Sequence, residues 1–185
     1  MAGAFRGRRV TTAAARTLGP DDLAGFRALR LACLRLHPEA FGSSADEEEC
    51  APADLWDRRL ASGEWVLLGG FLDGGLVGIA GLIPETKRKH AHIANFGAMY
   101  VAASARGKGV GDAIVAHALS EARARGIAIV TLTVTIGNEP ARRLYERHGF
   151  VEFGRLHDSL RTGGRSYGEI LMKCVLAPPP DQAAG

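Results

Sequence analysis

Arg106-Gly107-Lys108-Gly109-Val110-Gly111 stands directly after an apolar, strand-like run over residues 96–101 and directly before a helix pattern over residues 112–125. Three glycines in a turn that opens a helix leave several backbone N–H groups without intrahelical partners, and the helix dipole adds partial positive charge at the same spot. The stretch reads as an anion cradle between a strand and a helix. In the helix Ile114, Val115, Ala118, Leu119 and Ala122 recur at helical spacing, Asp112 lies in the first turn, Arg123 and Arg125 in the last, and Gly126 supplies the stop. Residues 127–134 follow, rich in β-branched side chains and bounded by Gly126 and Gly137, and read as a buried strand. Strand, loop, helix and strand make a βαβ unit.

The glycine spacing decides which anion. A P-loop needs four residues between its first glycine and Gly-Lys-Ser/Thr, whereas Lys108 follows Gly107 at once and is followed by Gly109. A dinucleotide fingerprint needs Gly-x-Gly-x-x-Gly and an acidic residue about 20 positions on; here the glycines fall at 107, 109 and 111, and residues 130–133 are uncharged. The surviving pattern, Arg/Gln-x-x-Gly-x-Gly/Ala, resembles the GNAT superfamily of acetyl-CoA-dependent N-acetyltransferases. A second signature follows, Asn138-x-x-Ala141-x-x-Leu144-Tyr145-x-x-x-Gly149-Phe150. It is similar to a segment of the same superfamily at every one of those positions, and reads as a short helix with Pro140 at its first position and Gly149 at its left-handed exit. The two motifs lie roughly 30 residues apart, as a βαβ unit demands.

The resemblance implies that the loop holds the coenzyme A pyrophosphate, with Arg106, Gly107, Lys108, Gly109, Val110, Gly111 and Asp112 as cofactor-binding positions. Side chains at the three glycines would obstruct a close approach or forbid positive φ. Acyl transfer needs a donor for the developing oxyanion, an acid for the leaving thiolate and a base for the amine proton. For the acid the resemblance implies Tyr145, whose ring would also line the coenzyme channel. For the donor it implies a main-chain N–H among Met99, Tyr100 and Val101, and it places Asn138 against the pantetheine arm, where a plain helix cap is the competing view. The base is open among His92, His90, Glu85, Glu47, Glu48 and Glu49, or a chain of waters, with His92 as the named candidate. Phe41, in the stretch 37–44, and Glu169, just before the last strand, are candidates for the acceptor side. No metal is expected.

The rest of the chain fits one such domain. At 185 residues and 46% hydrophobic it can bury a sizeable core, and its net charge of +3 comes from 23 basic and 20 acidic residues without a long basic run, which excludes a nucleic-acid footprint. The cluster Lys87-Arg88-Lys89-His90 reads as a solvated loop. Cys33, Cys50 and Cys174 lack metal spacing and pairing, which argues for a reducing compartment, the cytoplasm. No apolar run reaches the roughly 18 residues of a membrane-spanning helix. Before the loop we expect a strand over residues 10–18, a helix from about residue 23 ending before Pro38, a second at about 52–61, and a hairpin of residues 65–72 and 76–83 turning at Asp73-Gly74-Gly75. The expected fold is α/β of the GNAT type, a single mixed sheet of about six to seven strands flanked by about four helices. We expect a flexible leader over residues 1–8, the domain over 9–176 and a disordered tail over 177–185. The expected function is transfer of acetyl from acetyl-CoA to a primary amine on a small molecule or peptide, in a protein for which the resemblance allows a homodimer. The alternatives are a different acyl-CoA donor or a non-catalytic acyl-CoA sensor.

Overall fold

The computed structural model describes residues 12–177, so the leader over residues 1–8 and all but the first residue of the expected tail lie outside the described residues. At its centre is the βαβ unit built around the glycine turn. Strand β4 (Ile93–Val101) leads into the turn, helix α4 (Val110–Ala124) leaves it, and β5 (Ile129–Thr135) follows. Helix α4 begins two residues before Asp112 because Gly109, left-handed at φ 81°, is already its cap. Helix α5 (Glu139–Arg147) starts on Asn138, whose side chain accepts a hydrogen bond from the Ala141 N–H, and Gly149 leaves it at φ 85°.

Five further strands complete one sheet: β1 (Ala13–Thr17), β2 (Val66–Leu72), β3 (Gly75–Pro84), β6 (Val151–Thr162) and β7 (Arg165–Val175). Their order is β1-β2-β3-β4-β5-β7-β6, and β4 with β5 is the parallel pair among antiparallel neighbours. The β2–β3 hairpin turns on Asp73 and Gly74, both left-handed at φ 51° and 86°, the backbone twist that suits a two-residue turn between right-twisted strands.

Strand alternation divides the apolar side chains between two layers. In β2, Val66 and Leu68 join Ile114, Val130 and Tyr145 under α4 and α5, while Leu67 joins Phe26, Leu34 and Trp56 on the opposite face. That second face is covered by α1 (Leu23–Leu36) and α3 (Leu55–Ser62). Close seating of α4 depends on bare backbone in the strands beneath it. A Cβ at Gly70 would lie 2.5 Å from the Ile114 Cδ1 and 2.7 Å from the Val110 Cγ1.

The sheet has seven strands, and the helices number five among the described residues, one more than expected. The addition is α2 (Ala45–Cys50), opened by a reciprocal cap in which the Ser44 hydroxyl accepts from the Glu47 N–H and the Glu47 carboxylate from the Ser44 N–H. Ser44-x-x-Glu47 signalled it, but no apolar run follows to mark a helix. Residues 88–90 of the basic cluster form an exposed helical turn. Among the described residues no helix is long and apolar enough to cross a membrane.

Candidate active site

Strands β4 and β5 pair only at their starts, Ile93 with Ile129, Ala94 with Val130 and Asn95 with Thr131. Beyond Asn95 each keeps its outer neighbour, β3 or β7, but not the other, so a gap opens between their C-terminal halves. The physical cause lies in β4, where the register with β3 shifts between Ile79 and Gly81 and Ala98 takes a left-handed φ of 53°. An extra residue of this kind bends the strand and ends its pairing. The Ala102 N–H donates to the Val77 carbonyl at 2.8 Å. Alternation then turns the N–H groups of Val101 and Met99 toward the open side. Tyr100 points its ring instead into the layer under α1, where it is 8% exposed.

At the head of this gap sits the glycine turn. None of the N–H groups of residues 107–112 makes a well-formed hydrogen bond to another protein group, so six consecutive donors converge at the start of α4. Gly107 and Gly109 are left-handed, at φ 72° and 81°, and a Cβ on Gly107 would meet nothing within 4 Å. Gly111 differs from the expectation. Its φ is ordinary, and its missing Cβ makes room for Leu144, whose Cδ2 would be 3.1 Å away, so this glycine seats α4 on α5. Val110 is buried against the sheet, and its part in the cradle is its main chain. Asp112 likewise offers its N–H, because its carboxylate is held by the Arg147 guanidinium at 3.0 Å and the His148 Nε2 at 3.1 Å. Partial burial pushes that carboxyl up, but the hydrogen bonds from Arg147 and His148 outweigh it and hold it below the ordinary carboxylate range.

The cationic rim is narrower than expected. Lys108 is exposed, but Arg106 turns away from the cradle. Its Nε donates to the Val101 carbonyl at 3.0 Å and its Nη2 lies 3.2 Å from the His37 Nε2.

Tyr145 is 6% exposed, its ring set edge-on to Phe96 and Phe150 at centroid distances of 6.1 and 5.8 Å. Burial pushes its phenol well above the usual tyrosine range. The hydroxyl makes no hydrogen bond within the protein, yet it is not among sealed, unsatisfied polar atoms, and the described residues include none. A buried ring with an unpartnered but accessible hydroxyl is a proton donor waiting for an acceptor. Asn138 caps α5 through its Oδ1, 3.3 Å from the Ala141 N–H, which leaves its NH₂ group unengaged. The cap thus uses one end of the amide and leaves the other open to a ligand.

Glu169 pairs across the sheet with Thr135 on β5 and Leu156 on β6, beside the gap. Its carboxylate accepts a short hydrogen bond from the Ser159 hydroxyl and has no cation partner among the described residues. Phe41 packs in the α1 layer under the Arg30 guanidinium, 5.7 Å from the ring centre.

The base candidates are not brought to the gap. His92 is exposed in the turn before β4, its carbonyl taken by the Ala128 and Ile129 N–H groups at the closed end of the β4–β5 ladder. Nine residues of β4 separate it from the glycine turn, about 30 Å at 3.3 Å per residue. His90 and Glu85 lie at the same remote end, where the Glu85 N–H bonds the Ile93 carbonyl. Glu47 is spent on the α2 cap, Glu49 on Arg35, and Glu48 on Arg30 and the Trp56 indole N–H. The acidic stretch that offered three of the base candidates is therefore a structural clasp between helices. Among the described residues no group of three or more His, Cys, Asp or Glu side chains is arranged to hold a metal ion.

Comparison with known proteins bears on the family and the fold. The model of the "Acetyltransferase (GNAT) family" matches residues 28–150. A streptothricin acetyltransferase of Streptomyces lavendulae is 34% identical over 136 residues, 74% of this chain, and the chain spans 66% of that relative's length, just under two thirds. Among solved structures, a ribosomal-protein-alanine N-acetyltransferase from Brucella melitensis superposes with a TM-score of 0.71 at 23% identity, covering 88% of this chain and 99% of that one. A Salmonella typhimurium structure with its cofactor acetyl-CoA superposes with a TM-score of 0.74 at 19% identity, covering 95% and 98%. These superpositions establish the shared fold.

Proposed function

Because the chain belongs to the acetyltransferase (GNAT) family, we propose that it moves the acetyl group of acetyl-CoA onto a primary amine by direct attack within a ternary complex. The observation that carries this reading is the row of six unengaged amides, residues 107–112, at the head of a gap between two parted strands. A diphosphate supplies the acceptors those donors lack, and the bare Gly107 and Gly109 let it approach the main chain. The pantetheine arm then runs down the gap, where the free strand edge of β4 and the Asn138 NH₂ group offer hydrogen bonds to its amides.

Acetyl-CoA supplies the thioester carbon that the amine attacks. The chain's residues do the rest. The Val101 or Met99 N–H on the open side of β4 meets the negative charge that develops on the carbonyl oxygen. Tyr145 keeps its proton at neutral pH, because burial disfavours the phenolate, and delivers it to the departing sulfur. Its deprotonated form is the costly one, so the group acts as an acid.

With His92 distant, water removes the amine proton. Glu169, without a cation partner among the described residues, binds the acceptor while it is still an ammonium ion, so the acceptor is a small molecule carrying positive charge. The name of the Streptomyces lavendulae relative, a streptothricin acetyltransferase, supports a small-molecule amine. No covalent intermediate is needed, and none is served by the cysteines. Cys33 and Cys174 are buried and Cys50 lies on α2. If the chain assembles as a homodimer, edge strand β6 with Val151, Phe153 and Leu156 more than half exposed is its surface.

The test is calorimetry with coenzyme A, followed by an acetyl-CoA-dependent thiol-release screen over an amine library. Heat with coenzyme A and thiol release with at least one cationic amine are expected. No heat with coenzyme A sinks the reading, and binding without turnover leaves a non-catalytic sensor.

A further inference from the structure

The segment that follows α1 touches both sides of the gap. His37 closes the helix, its N–H donating to the Cys33 carbonyl at 2.9 Å, and its own carbonyl accepts from the Ala40 N–H at 3.0 Å across the short turn Pro38–Ala40. The His37 ring reaches the β4 side, with Nε2 3.2 Å from the Arg106 Nη2 and the ring centre 6.1 Å from that of Tyr100. A guanidinium only donates, so Nε2 is the acceptor and the ring proton sits on Nδ1, which faces the Glu39 carboxylate at 3.6 Å. Two residues later the chain is tied to the β5 side, where the Thr135 hydroxyl donates to the Glu39 carbonyl at 3.1 Å.

Thr135 and Val101 end the two strands that part, and no ladder joins them there. Residues 37–39 thus span the mouth of the gap and are fastened at both ends. Arg106 is also the first residue of the glycine turn and holds the Val101 carbonyl, while Thr135 stands opposite Glu169. One fastening therefore ends on the coenzyme loop and the other on the acceptor wall.

We infer that residues 37–39 are a brace that sets the spacing between the coenzyme loop and the acceptor wall, with His37 as its positioning residue on the loop side. The consequence rests on the acetyl-transfer reading, since a brace matters only if the loop holds coenzyme A. His37 touches neither cradle amides nor Tyr145; it acts through Arg106. Losing a hydrogen bond from a charged donor lets Arg106 and the turn it opens drift, and the cradle amides lose their common aim.

The test uses coenzyme A itself and the full chain. Calorimetric affinity is measured for the wild type, His37→Ala, His37→Gln, Thr135→Val and the His37→Ala/Thr135→Val double variant, with thermal unfolding as a check that each is folded. His37→Ala should weaken coenzyme A binding about 10-fold, and His37→Gln, whose amide oxygen can still accept from Arg106, should recover to within about 3-fold of the wild type. Thr135→Val, on the other strand, should also weaken binding. In the double variant it should add nothing to His37→Ala, because a brace cut at one end carries no tension from the other. Unchanged affinity in His37→Ala, or strictly additive losses in the double variant, overturns the brace while leaving the acetyl-transfer reading intact. Absence of coenzyme A binding by the wild type overturns that reading and the brace's role with it.

Discussion

Under the proposed acetyl transfer, Tyr145 and Glu169 divide the chemistry at the residue scale. Tyr145→Phe removes a proton donor without changing the packed ring, so kcat should fall about 10-fold to 1000-fold while coenzyme A affinity by calorimetry stays at the wild-type value. Unchanged turnover would move the acid's role to water. Glu169→Gln keeps shape and the Ser159 contact but removes the charge. KM for a cationic amine should rise about 10-fold with kcat little altered, the scale of one charge-assisted contact. An equal rise for a neutral amine would assign Glu169 to packing. Tyr145 was legible in the sequence because a motif of fixed spacing carries it. Arg106 was legible as a motif position, but its direction was not, since its partners Val101 and His37 lie 5 and 69 residues away. The remote position of His92 was hidden for a related reason. A histidine beside a strand does not reveal at which end of that strand the neighbouring strand departs.

At the element scale, the α1–α2–α3 layer is held by a buried charge pair. The Arg30 Nε lies 3.4 Å from a Glu48 oxygen, their side chains are 7% and 10% exposed, and the Trp56 indole N–H donates to the other oxygen. Glu48→Ala would strand the Arg30 charge over the Phe41 ring and should cost about 3 to 5 kcal/mol in a denaturant titration, because an uncompensated buried charge is expensive. A cost below about 1 kcal/mol would mean that water reaches the pair. The helices α1, α4 and α5 and the β2–β3 hairpin were readable from periodicity, caps and the Asp73-Gly74 turn. Helix α2 was not, since it buries no residue fully and its apolar contribution comes chiefly from Ala45. Its acids stood as base candidates, and nothing near them in the chain marks Arg30, Arg35 and Trp56 as the partners of Glu48 and Glu49.

At the scale of the whole molecule, four carboxylates among the described residues are held below their ordinary range. Asp22, hydrogen-bonded by Arg16 and by the Gly19 N–H, lies at about 2, and Asp158, hydrogen-bonded by Arg161 and Ser166, at about 2. Glu152 is lowered chiefly by Arg155, and Asp112 is lowered although burial opposes it. Groups whose folded pKa lies below the unfolded value add stability that is complete above about pH 4 and is lost as the pH falls toward 2. The unfolding midpoint should therefore be nearly flat from pH 7 to about 5 and drop between about 4 and 2, and Asp22→Asn should lose part of that drop. A midpoint independent of pH below 4 would refute the linkage. The βαβ unit, the glycine turn and the place of Tyr145 on α5 were legible from the amino acids alone, because each is written in contiguous spacing and in glycine's access to positive φ. Where β4 and β5 part, that Arg106 faces His37, that the acidic stretch is a clasp, and that Glu169 stands beside the gap with Ser159 and no cation among the described residues came only with the folded chain. Those depend on contacts between residues far apart in the chain, and only packing chooses among them.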